Sequence, residues 1–80
     1  MEQMNNLTKL DLGCNSISDK GASTLAEFLK KNSSIAYVDL GRNKISNKGA
    51  VSLAESLKFN KVLEQIHLFS KTIFKQTKNN

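Results

Sequence analysis

Asp11, Asp39 and His67 stand at equal intervals along the chain, each between two aliphatic residues. Two carboxylates and an imidazole are the groups of general acid–base catalysis, provided that the fold brings them together. Cys14 is the one candidate thiol nucleophile, but the residue one interval further on is Arg42, and no histidine holds a matching place. A single cysteine and a single histidine cannot supply the four ligands of a structural zinc site. No glycine-rich phosphate loop is present. Whether any of these groups performs chemistry therefore depends on the elements that hold them.

Those elements are written twice. "LDLGCNSIS" from Leu10 returns as "VDLGRNKIS" from Val38, and residues 7–34 align without gaps on 35–62 with 15 of 28 positions identical. A third copy begins on schedule at Leu63, Ile66, Leu68 and Ile73. Lys71 then stands where the recurring asparagine is due, and Thr77 and Lys78 replace a Gly-Ala pair. The chain divides into a remnant of a preceding unit (1–6), two full units (7–34 and 35–62), a strand-and-turn fragment of a third (63–73), and a basic tail (74–80).

Each unit carries two periods. Leu10-Asp11-Leu12 alternates apolar and polar residues, as a strand with one buried face does. Ala22, Leu25, Ala26 and Leu29 follow helical spacing and predict one apolar stripe, repeated at Ala50, Leu53, Ala54 and Leu57. Asp19 and Asn47 suit the helix start, with Ser18 and Ser46 as competing caps. The recurring Gly21 and Gly49 predict close backbone packing against a strand. Asn32 and Asn60 suit a helix C-terminal turn.

The frame L-x-x-L-x-L-x-x-N-x-I, followed by a helix with G-A-x-x-L-A-x-x-L, resembles a leucine-rich repeat. Its 28-residue period is similar to the ribonuclease-inhibitor-like subclass, found also in the sensor arms of nucleotide-binding immune receptors and in Ran GTPase activators. The resemblance covers residues 7 to about 73. It implies an α/β solenoid of about two and a half right-handed strand–helix repeats, with a parallel sheet on the concave face and helices on the convex face. Asn15 and Asn43 would form a structural ladder that satisfies loop backbone groups. Aspartate is common in the strand of such repeats, so Asp11 and Asp39 read as architecture, and the chain as no enzyme, without cofactor or metal.

A partner would meet the concave face. Alternation puts Lys9, Asp11, Tyr37, Asp39, Gln65, His67 and Phe69 there, with Arg42 at the rim; Tyr, Arg and Phe are types enriched at interface hot spots. The expected function is a protein-interaction segment cut from a longer solenoid. End-to-end self-association is open to it, because uncapped strand edges invite pairing.

The alternative is a small basic accessory protein that binds nucleic acid or anionic membrane through its tail. The net charge is +5, and Lys71, Lys75 and Lys78 lie in a stretch without acidic residues. Residues 1–70 hold nine basic and seven acidic groups, a mixed surface that argues against either ligand. No apolar run approaches the roughly 18 residues of a membrane span, and no secretory signal opens the chain, so a cytoplasmic location is expected.

Overall fold

The computed structural model describes residues 7–69 and 72–76. The expected repeat remnant at 1–6 and the tail residues Lys71 and Lys78 lie outside the described residues. In chain order the elements are β1 (Lys9–Asp11), α1 (Asp19–Lys31), β2 (Tyr37–Asp39), α2 (Asn47–Phe59), β3 (Gln65–His67) and β4 (Ile73–Lys75). No helix among them is long and apolar enough to cross a membrane.

The strands form one sheet in the order β1-β2-β3-β4. β1, β2 and β3 are parallel, with Leu10 opposite Val38 and Val38 opposite Ile66, so the register carries the repeat spacing of the sequence. The helices cover one face. Ile35, Val38, Leu40, Leu63, Ile66 and Leu68 from the strand segments pack with Ala22, Leu25, Ala26, Leu29, Leu53 and Leu57 from the helices.

The sheet is mixed where a wholly parallel one was expected. β4 runs antiparallel to β3, with Ile66 opposite Phe74. Leu68 N–H donates to the Thr72 carbonyl at 2.9 Å and Thr72 N–H to Phe69 at 3.1 Å, which turns the chain back at once. A parallel neighbour needs a long crossover, whereas an antiparallel one needs only a tight turn. Thr77 and Lys78 stand where the Gly-Ala pair opens each earlier helix, and the hairpin pairs the outer edge of β3 instead. Ile73, expected as the core counterpart of Ile45, is instead 41% exposed on β4.

The asparagine expectation divides. Asn43 accepts from the N–H groups of Asn15 (2.9 Å) and Ile17 (2.8 Å), and its amide donates to the carbonyls of Leu12 (2.8 Å) and Leu40 (3.0 Å). It joins two units with one side chain. The Asn15 amide donates within its own turn, to Gly13 at 3.2 Å.

A second asparagine position does similar work at the helix ends. Asn32 and Asn60 end α1 and α2, as their spacing suggests, in extended backbone with φ of −82° and −102°. Asn60 accepts from Val62 and Leu63 N–H and donates to the carbonyls of Leu29 and Asn32 in the preceding unit. Gln76, just past β4, donates to Leu57 (2.6 Å), Asn60 (2.7 Å) and Leu63 (2.9 Å). Leu57 and Asn60 are the repeat counterparts of Leu29 and Asn32. Gln76 thus supplies from a hairpin the donor that an asparagine would bring from a following repeat. Its own N–H also pairs with the Glu64 carbonyl at 2.7 Å, as Glu64 N–H does with Ala36 and Ala36 N–H with Thr8.

At the helix starts the structure selects the competing candidates over Asp19 and Asn47. Ser18 and Ser46 hold the N-cap positions without side-chain caps. Asp19 reaches across to the next helix instead. It accepts from Ser46 N–H (2.7 Å), Gly49 N–H (3.0 Å) and the Ser46 hydroxyl, and these bonds, the hydroxyl's first, hold its carboxyl below the usual range. A carboxylate there meets the unpaired N–H groups and positive end of α2. Gly49 is required by this approach: a Cβ would lie 2.7 Å from Asp19 Oδ1 and 3.0 Å from Ala22 Cβ. The close neighbours are helix α1 and Ile45, whose Cγ2 would lie 2.8 Å from that Cβ, rather than a strand.

Asn43→Ala should cost about 2 kcal/mol or more in chemical denaturation, because it strips four backbone groups in two units and each unsatisfied buried group costs about 1–3 kcal/mol. Asn15→Ala should cost clearly less. Gln76→Ala leaves three carbonyls without that donor; the expected loss is about 1–3 kcal/mol, with hydrogen exchange of the Ile66 and Leu68 amides accelerating before that of Val38.

Candidate functional site

The face of the sheet away from the helices carries polar and large side chains together. Because opposed residues in a sheet share a face, it presents Lys9, Tyr37, Gln65 and Lys75 in one row and Asp11, Asp39, His67 and Ile73 in the next. Most of them line a shallow open groove of about 640 Å³. Six of the eight binding residues read from the sequence therefore meet in one place. Arg42 lines a smaller adjoining hollow of about 340 Å³ with Cys14, Gly41 and His67. Phe69 is exposed at the β3–β4 turn.

Two members of this surface, Ile73 and Lys75, were not foreseen. Thr72-Ile73-Phe74 is a β-branched and aromatic run close behind the polar Ser70 and Lys71, which is the pattern of a hairpin's second strand. The third-repeat frame concealed it, because that frame requires an apolar core residue at position 73.

The two aspartates are held by their own turns. Asp11 Oδ1 accepts from Gly13 N–H at 3.0 Å, and Asp39 Oδ1 accepts from Gly41 N–H at 2.9 Å. His67 Nδ1 lies 2.9 Å from the same Asp39 oxygen. The Gly41 N–H first, and His67 second, hold the Asp39 carboxyl below the ordinary range. Gly41 leaves room beside that pair, since a Cβ there would sit 3.2 Å from Asp39 Oδ1 and 3.3 Å from the imidazole, a tight contact. Tyr37 is 40% exposed, with Lys9 Nζ 6.0 Å from its ring centre and its hydroxyl 3.4 Å from Glu64 Oε1.

An aspartate kept ionised beside an imidazole can accept or relay a proton, but both carboxylates are also turn-forming groups, which explains their recurrence at one frame position. Among the described residues no group of three or more His, Cys, Asp or Glu side chains could hold a metal ion. Cys14 is exposed and adopts φ 62°, matched by φ 60° at Arg42, so this turn position imposes the left-handed conformation on whatever residue occupies it.

Comparison with known proteins agrees with the architecture. A sequence profile described as leucine-rich repeat matches residues 3–26 and 31–54, two consecutive repeats in the same register. None of the curated proteins compared with the chain matches it. The chain belongs to the leucine-rich repeat family, a non-enzymatic, protein-binding fold.

The depressed Asp39 carboxyl links stability to pH. A folded value below the unfolded one contributes stability that is fully present above about pH 4 and is lost as pH falls through the folded value. Asp39→Asn should flatten the acid limb of the stability–pH curve below about pH 4. Carboxyl-carbon NMR should show Asp39 titrating below the ordinary aspartate range.

Proposed function

We propose that the chain is a protein-interaction segment that meets its partner across the open sheet face, the concave surface of a ribonuclease-inhibitor-like array. One observation supports this above others. Tyr37 and Ile73, at 40% and 41% exposure, stand in one groove with Asp39, His67, Lys9 and Gln65, away from the core. Large exposed side chains ringed by polar groups mark contact surfaces. The shared register of β1, β2 and β3 at the repeat period favours the ribonuclease-inhibitor-like subclass. An exposed free thiol at Cys14 suits the reducing cytoplasm.

Four strands at about 4.8 Å spacing make a face only about 14 Å wide. A standard interface buries about 800 Å² per partner. Contact must therefore extend to Arg42 and Phe69 at the rim, or the complex is weak.

Photo-cross-linking from position 37 in cells, compared with position 55 on the exposed helix surface, should yield an adduct from 37 alone. With that partner purified, Tyr37→Ala should weaken binding about tenfold or more, as a hot-spot aromatic does, and Glu55→Ala less than twofold. Adducts from 55, or equal effects of the two substitutions, would move the site to the helices. A complex that weakens steeply from about 50 to 200 mM salt, as counterion release on a nucleic acid requires, would favour the basic-tail alternative.

A further inference from the structure

The two ends of the sheet are not equivalent. At one end β4 pairs with β3, and Gln76 occupies the carbonyls of Leu57, Asn60 and Leu63. At the other, β1 has no strand on its outer side among the described residues. The same frame positions register the difference. Ile35, Val38, Leu40 and Ile45 are buried, as are Leu63, Ile66 and Leu68, whereas their counterparts Leu7, Leu10, Leu12 and Ile17 are only half-buried. In the helix layer Ser56 is buried, while its counterpart Phe28 stays half-buried.

We propose that a second copy of this chain covers that end, with β1 pairing antiparallel to β1 of its twin about a two-fold axis at Leu10. The backbone sets the first condition. Thr8 C=O and Leu12 N–H are bonded toward β2, so by strand alternation Lys9 and Asp11 turn their N–H and C=O outward. Residues 9 and 11 are thus the ones able to exchange hydrogen bonds across a new antiparallel pair. Charge sets the second. Centred on Leu10, the pairing puts Lys9 opposite Asp11 of the twin and Asp11 opposite its Lys9, two opposite-charge cross-strand pairs. Centring on Lys9 or on Asp11 instead would oppose like charges.

Head-to-tail stacking is closed off, because Gln76 already holds the bonds a following repeat would make. Self-pairing of β4 would oppose Ile73 and Lys75, with no charge complementarity. The contact is therefore isologous and stops at a dimer. A two-fold axis normal to the sheet keeps both open faces on one side. The shared face then spans eight strands, about 34 Å, which lifts the width limit on a partner.

Sedimentation of the full 80-residue chain should show a reversible monomer–dimer equilibrium. Lys9→Glu and Asp11→Lys should each raise the dissociation constant about tenfold or more, since each puts two like-charge pairs across the strand. An equimolar mixture of the two variants should restore dimer as the heterodimer. There the glutamate introduced at position 9 faces the lysine introduced at position 11, and the unaltered Asp11 of one variant faces the unaltered Lys9 of the other. A spin label on Cys14 of otherwise unaltered chain should give one inter-copy distance near 25 Å, about four residues either side of Leu10 at roughly 3.3 Å each. The label distance stands even if a variant fails to fold. A monomer at all concentrations, variants that dimerise like the parent, a mixture that stays monomeric, or a label distance far longer than that span would each overturn the proposal.

Discussion

The fold depends on side-chain amides that carry hydrogen bonds from one repeat into the next. A single strand–loop–helix unit cannot satisfy the backbone of its own turns, because the chain leaves the strand before pairing is complete and leaves the helix with free carbonyls. Asn43 answers the first deficit and Asn60 the second, each donating into the preceding unit while accepting from turn N–H groups. An amide suits the task because one planar group offers both donors and an acceptor. No buried side-chain nitrogen or oxygen among the described residues lacks a partner. Gln76 meets the same deficit with one more methylene, reaching from an antiparallel strand to carbonyls that an asparagine at the next repeat would approach from a parallel one.

Position in the stack then decides what identical residues do. The stripe on α1 is Ala22, Leu25, Ala26 and Leu29, as helical spacing predicts. On α2 the buried set is Gly49, Leu53, Ser56 and Leu57, and Ala50 is only partly buried. The shift has a direct cause. Gly49 and Ser56 lie on the flank of α2 that faces α1, while Ala50 and Ala54 lie on the flank where α1 would have α2 and α2 has no third helix among the described residues. Ala22 and Ala26, their counterparts, are covered by α2. Asp19 shows the same dependence: it caps a neighbouring helix, whereas Asn47 is exposed.

The open face is made by what the core does not use. Alternation sends Leu10, Val38 and Ile66 inward and leaves their neighbours outward, and the turn bonds at Gly13 and Gly41 hold the two aspartates. For the contact proposed on this face, carboxylates already held by their turns would leave little side-chain entropy to be lost on binding. The glycines at 13 and 41 serve this arrangement through space rather than through φ: neither has a positive φ, and each would press a Cβ on a neighbouring oxygen.

By itself the sequence determined the repeat, its period, the strand and helix of each unit, the inward and outward residues of the first three strands, and the inter-repeat role of Asn43. All of these follow from periodicity, which is a local property written into residue types at fixed spacing. It also assembled most of the open face, because a parallel register equal to the repeat period puts equal frame positions side by side. The tertiary structure alone decided the rest. Asp19 serves the helix of the following unit, Asn60 donates to a preceding helix end, and Gln76 takes the place of a further repeat; each is a contact between segments with no local signature. Ile73 was assigned to the core by its frame position, yet the β3–β4 turn carries it onto the open face. A frame predicts burial only while the next unit continues it. Where the helix pattern fails, the unpaired edge of β3 and the free carbonyls beside it draw the chain back, and those demands arise only once the preceding repeats have stacked.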